Sequence, residues 1–216
     1  MFDLAGTTVK DSGQVPRAFA AALAEIGVSV TAAQVADVRG ASKREAIRQF
    51  IADGRDRDRR VAVAYSSFQE HLARLYRSEG VEAIAGATDV FRWLRDRHVR
   101  VGLNTGFDRE ITTLLLNALD WNDSTVDAIV CGDDVTRGRP APDLIVRTME
   151  RTGMTDARLV LNVGDTVLDL QAGRNAGVRW NVGVLSGGHD RQRLEQAPHT
   201  HLIESVADLE SLIASR

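Results

Sequence analysis

Met1-Phe2-Asp3-Leu4-Ala5-Gly6-Thr7-Thr8 is the stretch on which the reading of the chain turns. Asp3 follows the large apolar Phe2, and the small residues Ala5, Gly6 and Thr7 then turn the chain, as expected where a strand ends in a tight loop. A carboxylate at the C-terminal tip of a strand is where open α/β sheets keep their chemistry. Only two residues precede Asp3, whereas a strand in a sheet usually has about five or six. The expectation is that the start was assigned late or that the first strand is clipped, and a clipped central strand would be weak.

After this loop the spacing turns helical. A helix is expected from Pro16, with Phe19, Leu23 and Ile26 on one face and Gly27 as its stop. Thr31 then caps a short helix to about Arg39, which Gly40 breaks. Ser42 and Glu45 read as a capping box for a third helix carrying Ile47, Phe50 and Ile51. A charged run over 55–60 precedes Val61, Tyr65, Phe68, Leu72 and Leu75, the apolar stripe of a long amphipathic helix that closes at Gly80. Residues 14–80 are thus read as an inserted α-helical cap, and residues 1–13 and 81–216 as the core.

From Gly86 helix and strand alternate at short spacing. Strands are expected at Val99–Asn104, Ala128–Cys131, Arg158–Val163 and Trp180–Val184, with helices between them and a closing helix over Val206–Ile213. Such alternation argues for an α/β fold, a Rossmann-like, doubly wound parallel sheet with crossover helices.

With 216 residues, 44% hydrophobic and 26% charged, the chain can form a core domain carrying a smaller insertion. A net charge of −3 argues against a general nucleic-acid or membrane-surface binder. The single cysteine, Cys131, ends an apolar run; it excludes an internal disulfide framework and fits a reducing, cytoplasmic setting. No stretch approaches the about 18 uninterrupted apolar residues of a membrane span, and the opening residues show no basic region followed by an apolar one.

Three further motifs fall at expected strand ends. Leu103-Asn104-Thr105-Gly106 offers a hydroxyl and backbone N–H groups ahead of a helix, a cradle for phosphate or a plain turn. Gly138-Arg139-Pro140 sets a fixed cation before a helix; the guanidinium either forks onto phosphate oxygens or stays solvated in the loop. Val163-Gly164-Asp165 and Asp169 place two carboxylates four residues apart, where a helix would put them on one face. Oxygen ligands without a nearby His or Cys favour Mg²⁺ over zinc, although Asp also caps helices.

Taken together, Asp3-Leu4-Ala5-Gly6-Thr7 and these three motifs resemble the haloacid dehalogenase superfamily, in the order its fold demands and over nearly the whole chain. The superfamily usually has a second Asp where Ala5 stands, to protonate a leaving oxygen; the form with alanine resembles the phosphonatase-like branch, which also carries arginine at the place of Arg139. By this resemblance Asp3 attacks phosphorus, Thr105, Gly106 and Arg139 hold the phosphoryl group, and Mg²⁺ is bound by Asp3, the Ala5 carbonyl and Asp165. Asp169 and Thr7 stand behind these ligands.

Arg39-Gly40-Ala41-Ser42-Lys43 resembles the phosphonatase segment whose lysine forms a Schiff base with a substrate aldehyde. A protonated imine on Lys43 is an electron sink, so a C–P bond could break without a general acid at position 5. The substrate implied is phosphonoacetaldehyde or a close 2-oxoalkylphosphonate. One departure is Ala46, where the branch places a histidine. Two other readings stand beside this one: a phosphatase or sugar-phosphate mutase using Lys43 as a phosphate grip, and a non-catalytic module that binds phosphate or a partner. A dehalogenase would have no use for the pair Asp165 and Asp169. The resemblance also implies a homodimer through the cap, with apolar positions between Pro16 and Ile26 at its interface, although core packing explains them equally. None of the five histidines falls inside a motif, and each reads as structural or solvated, although His189 after Ser186-Gly187-Gly188 could approach the active-site mouth.

Overall fold

Residues 1–3 run through the middle of a parallel sheet in the structure of the protein, a computed structural model that describes residues 1–215. Phe2 N–H donates to the Gly102 carbonyl and its own carbonyl accepts from Asn104 N–H; on the other side Asp3 N–H donates to Val163 and Val163 N–H to Met1. This three-residue segment joins two sets of strands. On one side lie β1 (Gly102–Asn104) and β2 (Ala128–Val130); on the other lie β3 (Leu161–Gly164), β4 (Trp180–Val184) and β5 (His201–Ile203), all paired in parallel. With the opening segment counted as the first strand, the order is that of a Rossmann sheet, and the order reverses at Asp3. The chain's first carboxylate therefore sits at the switch point, where two crossovers diverge and leave a crevice.

The helical cap consists of α1 (Gln14–Glu25), α2 (Ala32–Asp37), α3 (Lys43–Gln49) and α4 (Arg57–Glu79). Its centre is aromatic: Phe19 meets Phe50 and Phe68 edge-on at 5.9 and 6.2 Å between ring centroids. Val15, Phe19 and Leu23 of α1 are buried inside the chain against α4, so core packing uses these apolar positions. Around the sheet run α5 (Ala87–Arg95), α6 (Arg109–Ala118), α7 (Asp143–Thr152), α8 (Val167–Ala176), α9 (Arg191–Glu195) and α10 (Leu209–Ala214).

Several local expectations are corrected. α1 begins at Gln14 behind Gly13, whose φ of 94° suits glycine, so Pro16 lies in its first turn. α4 takes in the charged residues from Arg57 onward as its first turn. Ser42 precedes α3 without a side-chain cap, because its Cβ is turned against Gly138 of the core. The first predicted strand after the cap shortens to Gly102–Asn104: the Asp127 carboxylate accepts from Val101 N–H at 2.8 Å and interrupts the ladder there. Likewise β3 starts at Leu161, because Asp156 caps a 3₁₀ turn over Ala157–Leu159. β5 and α9 were not expected at all; a three-residue edge strand containing His201 has too little periodicity to announce itself.

Beneath the site, Asn162 and Asn181 are cross-strand partners on β3 and β4. Asn162 Nδ2 donates to Asn181 Oδ1 at 3.0 Å and to the Asp169 carbonyl at 3.2 Å, while Asn181 Nδ2 donates to the Leu170 carbonyl at 2.6 Å. Two buried amides thereby fix the first turn of α8 on the sheet. That turn carries Asp169.

Candidate active site

Asp3, Asp165 and Asp169 converge at the strand tips, with one carboxylate oxygen from each within 4.8 Å of the others. All three are buried. Asp165 follows β3 in a loop and only Asp169 belongs to α8, so the two do not share a helix face as their spacing suggested. The loop brings them together instead. Thr166, the N-cap of α8, exchanges bonds with Asp169: Asp169 Oδ2 accepts from Thr166 N–H at 3.0 Å and its hydroxyl at 2.5 Å. Asp165 is held by the Thr7 hydroxyl at 3.1 Å on Oδ1 and by Gly188 N–H at 2.6 Å on Oδ2.

The turn at Gly6 has φ of 94°, and a Cβ there would lie 2.3 Å from Asp165 Oδ2. One at Gly187 would lie 2.1 Å from the same atom. Only residues without side chains let both loops close around this carboxylate.

Arg139, 4% exposed, is the cation among these acids. Its Nη1 donates to Asp3 Oδ1 at 2.8 Å and Asp169 Oδ1 at 2.9 Å. One guanidinium cannot neutralise three carboxylates. Burial pushes Asp3 up to about 6, against the pull of Arg139, and Asp165 up to about 8, with the negative charges of Asp169 and Asp3 adding to the shift. A set of three buried carboxylates, short of positive charge and free of nitrogen or sulfur donors, fits a hard divalent cation such as Mg²⁺. Asp3 and Asp165 offer two such oxygen ligands, and Ala5 lines the same cavity.

From the cap, Lys43 enters the same cavity. It is buried, its ammonium donates to the Ala41 carbonyl at 3.1 Å, and it lies 5.4 Å from the centroid of the Phe107 ring. Burial lowers its pKa to about 8, with Asp3 pulling the other way. Close approach of the cap depends on Gly40: a Cβ there would lie 2.3 Å from Thr166 Oγ1. Asp3, Lys43, Thr105, Gly106, Arg139 and Asp165 all line this one cavity, whose volume is about 40 Å³. That is far below the roughly 300 Å³ at which drug-sized ligands begin to fit, so the closed cap leaves room only for a small molecule. Thr105 Oγ accepts from Phe107 N–H at 3.1 Å, so it makes a turn and faces the cavity at once.

Ala46 is wholly buried inside the cap. A larger side chain at that place would meet the cap's own packing.

Residues to which the sequence assigns no role complete the closure. Asp108, N-cap of α6, accepts from Gln69 Nε2 of α4 at 2.9 Å and from the Tyr65 hydroxyl, clasping cap to core. Arg39 pairs with Asp11 at the cavity edge. His189 does not line the cavity; its Nδ1 accepts from Val167 N–H at 3.0 Å, so its Nε2–H donates to the Ala36 carbonyl at 3.2 Å, another bond from core to cap. Cys131 is buried and its thiol is pushed up to about 11 by that burial, as suits a structural residue. Among the described residues no helix is long and apolar enough to cross a membrane.

A parallel sheet with an aspartate at its switch point, an acidic cluster at its tips and a helical cap closed over them defines a class. The chain belongs to the haloacid dehalogenase-like hydrolases, matching that family over residues 1–182. Within it, the chain belongs to the phosphonatase-like branch of hydrolases. A phosphonoacetaldehyde hydrolase of Paraburkholderia phytofirmans is 30% identical over 100% of this chain and 86% of its own. Among solved structures, a phosphonoacetaldehyde hydrolase-like protein from Oleispira antarctica is 26% identical and superposes with a TM-score of 0.86, covering 99% of this chain and 91% of that one. A hydrolase from Pseudomonas syringae shares the fold with a TM-score of 0.89 at 24% identity, covering 99% of this chain and 96% of that one.

Proposed function

We propose that the protein hydrolyses the C–P bond of phosphonoacetaldehyde or a close 2-oxoalkylphosphonate. The observation that carries this reading is Lys43, buried and with its pKa lowered to about 8, in the same small cavity as Asp3 and Arg139. An amine in that range is partly neutral near pH 7 and can add to a carbonyl. Loss of water then leaves a protonated imine on Lys43. Asp3 attacks phosphorus as the C–P bond breaks, and the bonding electrons move into the imine to give an enamine. Protonation at carbon and hydrolysis release acetaldehyde from Lys43, and a second water releases phosphate from Asp3. Ala5 carries no proton, and this route asks for none from it.

Arg139, Thr105 and Gly106 hold the phosphoryl oxygens in this scheme. Mg²⁺, when bound by Asp3, the Ala5 carbonyl and Asp165 with Asp169 and Thr7 behind them, would supply the positive charge that the phosphoryl group needs beside an anionic nucleophile. The cap over residues 14–80 delivers Lys43 and excludes water.

The packed Ala46 favours a second reading, in which Lys43 only grips phosphate and the substrate is a small phosphate monoester. Phosphate release from phosphonoacetaldehyde, with borohydride trapping, separates the two. The expected result is Mg²⁺-dependent release, lost in Lys43→Arg, with the trapped adduct on the peptide containing Lys43. Turnover of phosphate esters by Lys43→Arg at the unaltered rate, with no adduct, would assign the protein to the second reading.

A further inference from the structure

Asn104 ends β1, one residue before Thr105, and is 1% exposed. Its Oδ1 accepts from Arg139 Nη2 at 2.6 Å, and its backbone carbonyl accepts from the same nitrogen at 2.9 Å. A guanidinium only donates, so the orientation of this amide is settled: the oxygen faces Arg139 and the NH₂ faces away. Among the described residues that Nδ2 has no hydrogen-bond partner.

An apolar residue of the same size would remove the unmade bond at Nδ2 and would keep the bond from Arg139 Nη2 to the backbone carbonyl, losing only the side-chain acceptor of Arg139. Stability alone therefore does not account for an amide here. Orientation of Arg139 does. Nη1 is drawn to Asp3 and Asp169, and carboxylates on that side alone would leave the guanidinium plane free to tilt between them. Two acceptors from Asn104 on Nη2 pin the opposite corner of the fork. The plane is then fixed before any substrate arrives, and a forked contact gains most from a fixed plane.

We propose that Asn104 is a positioning residue that holds the Arg139 guanidinium as a preformed clamp for the phosphoryl group of the substrate. This rests on the phosphate-binding role of Arg139 proposed above. The test is a double-mutant cycle read by calorimetric binding of inorganic phosphate to the Mg²⁺-loaded protein, with thermal unfolding of each variant alongside. Asn104→Leu is expected to weaken phosphate binding about tenfold, the low end for loss of a charge-assisted hydrogen bond, while the protein keeps a single cooperative unfolding transition. Arg139→Lys weakens it at least as much, and the double variant binds no worse than Arg139→Lys alone.

Losses that multiply in the double variant, or Asn104→Leu binding phosphate like the unaltered protein, would overturn the role of Asn104 while leaving the proposed function standing. If the unaltered protein binds no phosphate, or Arg139→Lys leaves the affinity unchanged, the reading of Arg139 itself falls and this inference falls with it. Should Asn104→Leu fail to fold, Asn104→Ala enters the cycle under the same criteria.

Discussion

Lys43 makes the proposed chemistry depend on pH in a way that can be worked out beforehand. With its pKa near 8, about a tenth of Lys43 is neutral at pH 7, whereas at an ordinary lysine pKa of about 10.4 the neutral fraction would be a few parts in ten thousand. Burial thus raises the reactive population a few hundredfold. The sign follows from the charge: desolvation disfavours the ammonium, so adduct formation climbs about tenfold per pH unit up to about 8 and then levels.

Asp3 adds a second handle, because its carboxylate is the largest influence opposing that shift. The substitution Asp3→Asn removes this negative charge, which lowers the Lys43 pKa further and moves the plateau to lower pH, while phosphate release is lost with the nucleophile. The assay is borohydride trapping of phosphonoacetaldehyde on the protein across pH 6 to 10, quantified by mass spectrometry. A profile that keeps climbing to pH 10 would refute the argument that burial under the cap activates the amine. So would a plateau that moves upward in Asp3→Asn.

Two other outcomes follow from the same geometry. The carboxyls of Asp3 and Asp165 are raised from an ordinary 3.8 to about 6 and about 8, so these two groups contribute stability that is full below about pH 4 and is lost as pH rises through their folded values; scanning calorimetry should find that Mg²⁺ raises the melting temperature more at pH 8 than at pH 5, and an equal rise at both would contradict the cluster as its site. Tyr65→Phe removes the hydroxyl that Asp108 accepts from, at a cost to the closed cap of about 1.5–3 kcal/mol for a hydrogen bond to a charged group; amide exchange in α4 should quicken and KM should rise, and unchanged exchange would mean that the clasp is not what holds the cap.

How much of the site was legible depended on the range of the signal. The strand-tip positions of Asp3, Thr105 and Asp165 follow from apolar runs broken by small residues, a local pattern. The helical run before the second strand followed from stripes such as Val61, Phe68 and Leu72, which are all buried as a stripe should be. Asn104 was quoted only as part of a turn motif, since nothing in Leu-Asn-Thr-Gly shows that its partner lies 35 residues away. Tyr65 read as one more apolar position of α4, because its hydroxyl acquires meaning only beside Asp108.

The sequence by itself determined the alternation of strand and helix, the helical insertion and the order of the motifs, because periodicity and turn chemistry act over a few residues and need no distant partner. Only the tertiary structure decided which groups are charged and how they are held. Asp165 and Asp169 meet through a loop instead of a helix face, and Thr7 reaches Asp165 across 158 residues of chain. The pKa of Lys43 falls because the cap closes over its ammonium and removes its water. Burial and charge pairing are properties of space, and spacing along the chain does not encode them.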